Sequence, residues 1–132
     1  MFYVVAISMK NFLFDSSAWI HFFNDGIQAD ELEFLILEDK VRTNDVVLCE
    51  VLPFLHPQKQ KTHIELIRSV ICIPLHIDWV GIREKQVENV ANGINGVGLP
   101  DLIIWQQVQQ HADLELYTLD KHFELLGYTK HK

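Results

Sequence analysis

The sequence predicts an α/β fold with a mostly parallel sheet and helices on both faces, and three observations predict it. Short apolar runs of strand length alternate with longer stretches whose apolar residues recur at helical spacing. Acidic residues, Asp15 and Asp120 most directly, stand where an apolar run gives way to a helix; in parallel sheets ligands collect outside such carboxyl ends. With 132 residues and 48% hydrophobic content, the chain suits one ordinary core rather than two, so residues 1–132 are read as a single domain.

Taken in order, Asn11 to Phe14 is a buried-strand run, and Ser16 or Ser17 is expected to cap a helix through Phe23. Ala29 to Asp39 carries Leu32, Leu35 and Ile36 at helical spacing with acidic residues in its first turn. Val41 to Thr43 is a short strand. Asn44 or Asp45 then caps a helix bearing Glu50, which Pro53 should end or kink. After a turn at His56-Pro57, Lys59 to Val70 reads as a helix with Ile64, Ile67 and Val70 inward, followed by a strand from Ile71 to Leu75. Ile77 to Val90 reads as an amphipathic helix presenting Val80, Val87 and Val90 to the interior. The glycine-rich stretch from Asn92 to Gly98 is a loop without the context of a dinucleotide or P-loop fingerprint. A Pro100-led helix to near Ala112, a strand from Leu114 to Leu119 and a short helix from Lys121 to Leu126 complete the chain. Residues 1–8 lack the basic leader of a signal peptide; they are read as an extension of the first strand or as a start-site artefact ahead of Met9-Lys10.

Composition narrows the function. A net charge of -7 argues against a general nucleic-acid coating protein, whose affinity comes from Lys and Arg, but leaves room for an enzyme whose cations reverse the sign of an acidic pocket. No apolar stretch is long enough to span a bilayer. Cys49 and Cys72 sit in apolar runs without metal spacing and are read as core residues of a reduced, cytoplasmic protein. The seven histidines lack a zinc spacing and most are read as solvated, with Lys59, Lys61, Lys121 and His122 as candidates to meet phosphates; Trp19, Trp79 and Trp105 are read as core.

Four acids are the candidate site: Asp15, Glu50, Asp101 and Asp120. Taken singly, each aspartate has a plain explanation, because Asp is a preferred helix cap and first-turn acids are favoured by the helix dipole. Glu50 fits less well. It lies at the margin of the stripe made by Val47, Leu48, Val51, Leu52 and Leu55, where a carboxylate is costly unless it is paired or bound.

The runs Phe12-Leu-Phe-Asp15-Ser-Ser-Ala-Trp-Ile20, Leu99-Pro-Asp101-Leu-Ile-Ile104 and Tyr117-Thr-Leu-Asp120-Lys-His-Phe123, with Glu50 between them, resemble a PIN domain, and most of all the VapC toxins of bacterial toxin–antitoxin pairs. The resemblance runs from about Met9 to Leu126. It implies a three-layer α/β/α fold and an Mg²⁺- or Mn²⁺-dependent endoribonuclease site in which Asp15, Glu50, Asp101 and Asp120 match the acidic quartet. Ser17 matches a small hydroxyl position near the first acid, and Thr118 a polar position that often supports the last. It also implies an RNA substrate, a homodimer and a cognate antitoxin protein, for which Trp19, Ile20, Phe22, Phe23, Leu32, Leu35 and Ile36 are candidate contacts. The chain departs from the pattern in the helix after Asp101, where Trp105 and glutamines at 106, 107, 109 and 110 replace an alanine-rich surface. The short tail implies an abbreviated or missing final edge strand. Two other classes stand beside this expectation: a PIN-like RNA- or protein-binding regulatory module with little nuclease activity, and a metal-dependent phosphatase or DNA nuclease using the same acids.

Overall fold

The computed structural model describes residues 10–127. The reading of residues 1–8 and any edge strand after residue 127 lie outside them. The elements run β1 (Asn11–Phe14), α1 (Ser16–Phe23), α2 (Ala29–Leu37), β2 (Val41–Thr43), α3 (Asp45–Leu55), a 3-10 turn (His56–Gln58), α4 (Lys61–Ser69), β3 (Ile71–Cys72), α5 (Trp79–Ala91), α6 (Leu99–Gln110), β4 (Leu114–Tyr117) and a closing 3-10 turn (Lys121–Leu126).

The four strands form a sheet in the order β3-β2-β1-β4, and every pairing is parallel. Helices cover both faces, giving the α/β/α layering expected of strand–helix alternation. β1 lies inside the sheet, with Phe12 opposite Val41 on one side and Phe14 opposite Tyr117 on the other. Its run Phe12-Leu13-Phe14 is buried throughout, as a parallel strand covered on both faces must be. Above it, Phe14 meets Trp19 at 5.3 Å and Tyr117 at 5.2 Å between ring centroids, in the tilted and edge-on geometries that aromatic quadrupoles favour. Leu32, Val47, Val51, Leu55, Ile67, Ile82, Leu102 and Ile104 complete the interior.

Several expectations change. The cap of α1 is Asp15, not Ser16 or Ser17: Asp15 is extended (φ -79°, ψ 179°) and accepts from the Ala18 N–H. α3 takes Asn44 as its cap and passes Pro53 before ending at Leu55. The strand expected over 71–75 contracts to Ile71–Cys72, because Pro74 has no N–H to give a ladder. In place of a ladder, side chains of α6 hold the following segment. Gln107 donates to the carbonyls of Ile73 (3.4 Å) and Pro74 (3.2 Å), Gln110 to His76 (2.8 Å), and Gln106 both donates to the Asp78 carbonyl (3.0 Å) and accepts from its N–H (2.9 Å). Buried Asn44 donates to Gln107 Oε1 at 2.7 Å, which joins the cap of α3 to the same ladder. The unusual glutamines therefore replace backbone pairing for a stretch that cannot make its own.

The expected face of α5 is reversed. Ile82 and Asn89 are buried, whereas Val80, Val87 and Val90 are 53%, 70% and 76% exposed. At about 100° per residue, Val80 and Val87 lie roughly 200° and 140° around the helix from Ile82, so only one set can face inward. The cysteines are not core residues. Cys49 falls on the outer side of α3 and Cys72 on the exposed edge strand β3. Trp19 is fully buried, but Trp79 is 48% exposed and Trp105 only partly covered, with the Lys85 ammonium 5.2 Å above its ring. Of the apolar side chains considered for an antitoxin, Trp19 and Leu32 are inside, and Phe22, Phe23, Leu35 and Ile36 are packed against the core.

Candidate functional site

β1 and β4 are adjacent and parallel, so the chain leaves both at the same edge of the sheet, and Asp15 and Asp120 follow them there. Asp15 is only 3% exposed. Its Oδ1 accepts from the Ala18 N–H (3.0 Å) and the Ser17 hydroxyl (2.6 Å), while Oδ2 accepts a short hydrogen bond from the Thr118 hydroxyl. Those hydroxyls accept in turn: Ser17 Oγ from the Leu119 N–H at 3.0 Å, and Thr118 Oγ1 from the Asp120 N–H at 2.9 Å. Two backbone donors beyond β4 are thus relayed through two hydroxyls onto the two oxygens of one carboxylate. Thr118 was expected to support the last acid; its side chain holds the first, and reaches Asp120 only through the backbone.

Burial pushes the Asp15 carboxyl above its ordinary pKa, against the three hydrogen bonds that favour the carboxylate, and the charge of Asp120 adds to the rise. Asp101 is the third residue of α6, placed there by the Pro100 start, and its Oδ2 accepts from the Gly98 N–H at 3.3 Å. Partial burial raises its pKa, the Gly98 N–H lowers it, Asp120 raises it and His122 lowers it. Glu50 lies on the exposed side of α3, yet its carboxyl is raised by partial loss of water, then by Asp101; the Ser16 hydroxyl opposes this, and Asp15 and Asp120 add to it. The fold therefore brings all four predicted acids into one electrostatic group.

His122 belongs here too, against the acids themselves. Its Nδ1 stands 3.1 Å from Asp120 Oδ1 and 4.0 Å from Asp101 Oδ2, and its backbone N–H donates to Asp120 Oδ1 at 2.9 Å. Gly96, at φ 86°, passes so close that a Cβ there would lie 3.4 Å from His122 Nε2. The signal was local: an Asp capping a turn brings the residue two positions on against its own carboxylate. Among the described residues, no lysine or arginine pairs with any of the four acids.

The donor set is entirely carboxylate oxygen, which suits Mg²⁺ or Mn²⁺, and bound cations would relieve the repulsion that raises these pKa values. Among the described residues, no three His, Cys, Asp or Glu side chains stand as a closed ligand group. The acids are within electrostatic reach rather than in a tight shell, an arrangement compatible with an ion that keeps several of its own waters.

Against known protein families, the chain matches the PIN domain over residues 12–127, which takes in all four acids, Ser17 and Thr118. The protein belongs to the PIN-domain family. PIN domains are generally nucleases, and they usually use divalent metal ions. No curated protein matches the chain closely enough to count as a relative. Among the described residues, no helix is long and apolar enough to cross a membrane.

Proposed function

We propose that this PIN-domain protein is a divalent-metal-dependent endoribonuclease, the cytoplasmic VapC-like toxin of a toxin–antitoxin pair. The observation that carries the reading is the group Asp15, Glu50, Asp101 and Asp120: mutually repelling carboxylates at the carboxyl ends of the strands, which no lysine or arginine among the described residues neutralises. Three aspartates explained only as caps have no reason to share a field with a glutamate from a different helix.

In this reading Asp15, Asp101 and Asp120 hold Mg²⁺ or Mn²⁺ directly or through water. When bound, the ion supplies Lewis acidity, lowering the pKa of a coordinated water and stabilising charge on the phosphate oxygens. Asp15 is the fixed point, because both of its oxygens are tied by hydrogen bonds. Glu50, more exposed and raised in pKa, positions the attacking water and accepts its proton. His122 competes for Asp101 and Asp120, and its swing away from them accompanies loading of the site. A homodimer and a cognate antitoxin complete the proposal, the antitoxin offering an Arg or Lys to the acidic group to block it.

The test is cleavage of a mixed RNA pool by wild type and Asp101→Asn, each with Mg²⁺, Mn²⁺ or EDTA. Metal-dependent cutting by wild type that the variant lacks is the expected result. Equal cutting by both would overturn the site, DNA cutting without RNA cutting would reassign the substrate, and RNA binding without cutting would make the protein a binding module.

A further inference from the structure

Two of the valines that α5 turns away from the core line a cleft at the end of that helix. Val87 and Val90 lie three residues apart, neighbours on the helix surface. The chain leaving α5 folds back on it, the Ile94 N–H donating to the Asn89 carbonyl at 2.8 Å, and brings Ile94 and Val97 to the same place. The cleft is about 440 Å³ in volume and is lined by Gln86, Val87, Asn89, Val90, Ile94 and Val97. Apolar walls with a few polar groups, at this size, are the make-up of a site for a small organic group.

The polar groups narrow what that ligand is. Asn89 is only 5% exposed, yet among the described residues its Oδ1 has no hydrogen-bond partner. A buried acceptor left unpaired is costly, so the fold itself gives no reason for an amide here. Oδ1 is turned away from water, and no hydrogen bond of its own opposes the side-chain rotation that presents it to a ligand. Gln86 adds a second amide on the exposed side. An amide offers an acceptor beside a donor, the complement of a base edge that carries a donor beside an acceptor. No Lys, Arg, Asp or Glu among the described residues lines the cleft, so it has neither the cations that hold a phosphate nor the carboxylates that hold a metal ion. Its position links it to the acidic group. The loop that walls it reaches that group twice: Gly98 donates to Asp101 at 3.3 Å, and Gly96 lies against His122, which stands 3.1 Å from Asp120. Val97 sits between those two glycines.

We infer that this cleft is a base subsite: it takes one unpaired nucleobase of the RNA strand beside the scissile phosphate, between Val87, Val90, Ile94 and Val97, and reads its edge with the Asn89 amide. RNA is read in this way where its bases are unpaired, because the major groove of its duplex is closed to side chains. The walls are aliphatic, so apolar contact holds the faces of the base in place of ring stacking. The inference rests on the nuclease reading for its substrate, and adds to it the residues that choose where the strand is cut.

The probes are the four ribonucleosides, each titrated into the isotopically labelled full chain in EDTA. Nucleosides carry no phosphate and EDTA removes divalent ions, so the acidic group does not contribute. Amide shifts clustered over residues 86–97 are expected, with one base bound about fivefold or more tighter than the weakest. Asn89→Leu should level the four affinities. Val87→Ser with Val90→Ser should weaken all of them, and serves as the second variant should the leucine substitution fail to fold. In the RNA pool, the ends cut by wild type should show a base preference at one position beside the cut, and Asn89→Leu should flatten it while cutting continues. Cutting without shifts over residues 86–97 for any nucleoside would overturn the inference, as would a preference indifferent to both variants. The two readings fail separately: shifts in the cleft without any cutting by wild type would remove the nuclease and keep the base site.

Discussion

Asp15 combines a structural and a chemical role, and the two respond to different substitutions. Asparagine is as good a helix cap as aspartate, so Asp15→Asn retains an acceptor for the Ala18 N–H while removing the charge. The expected outcome is loss of cleavage with a melting temperature at neutral pH that is unchanged or higher, checked by thermal denaturation beside the RNA assay. Asp15→Ala loses the cap as well, at a cost of about 1 kcal/mol. Thr118→Val removes a donor to a buried carboxylate and leaves Asp15 with one hydroxyl; urea unfolding should report a loss of about 1.5–3 kcal/mol, together with reduced cleavage. Protonation gives a further check. Asp15, Glu50 and Asp101 have raised pKa values, so the folded state binds more protons than the unfolded chain above the ordinary carboxylate range of about 4. The stability these groups contribute is therefore full below that range and is lost as pH rises through their raised values. Metal-free melting temperatures should show this fall relative to Asp15→Asn, and saturating Mn²⁺ at neutral pH should reverse it. The acids themselves could be picked out in the sequence because the three aspartates sit where a strand or loop gives way to a helical turn, and Glu50 at the margin of an apolar stripe. The hydroxyl relay could not, since Ser17 and Thr118 lie 101 positions apart and nothing local to either shows the other.

At the scale of elements, α3 and α5 show what periodicity can and cannot decide. In α3 the buried residues Val47, Val51 and Leu55 are the expected stripe, and Asn44 is one of the two expected caps. In α5 two apolar sets compete, and choosing the valines over Ile82 gave the wrong face. The choice was decided by what α5 packs against, namely α6, which the sequence of α5 does not encode. Ile82→Ala should accordingly cost about 2–5 kcal/mol in chemical denaturation. Val87→Ser and Val90→Ser, on the exposed side, should stay within about 0.5 kcal/mol of wild type. The glutamines of α6 were visible as an anomaly but not as a ladder, because the segment from Ile73 to Asp78 that they hold has no period of its own. Gln107→Leu strips Asn44 Nδ2 of its acceptor inside the core and frees the Pro74 carbonyl; a loss of about 1–3 kcal/mol is expected by the same measurement. Both cysteines were misjudged for a related reason: apolar neighbours in sequence do not fix which side of a helix, or which edge of a sheet, a residue occupies.

For the whole molecule, alternation of short apolar runs with helical stripes was enough to anticipate a parallel sheet covered on both faces. The strand order β3-β2-β1-β4 was not legible, because it depends on which crossover buries which helix. That order brings the four acids together, by laying the first strand beside the fourth. If the acidic group binds a divalent ion, the folded protein alone gains that binding energy. Mn²⁺ at about a hundred times its dissociation constant should then stabilise the chain by about 2.7 kcal/mol, an increment that EDTA removes and Asp101→Asn lacks.

The pairing of β1 with β4 also has a consequence in time. Asp15 is made early in synthesis, with Ser17 and Ala18 at hand for one of its oxygens, but Thr118, which donates to the other, and the backbone groups relayed through the two hydroxyls are made about a hundred residues later. Chains are made from the N-terminus at roughly 5–20 residues per second, so for several seconds the nascent protein has β1 without its β4 neighbour and the first acid without its Thr118 support. A nuclease built this way is inert on the ribosome that makes it until nearly all of its chain has emerged. Translation stalled before β4 would release a fragment without a formed site.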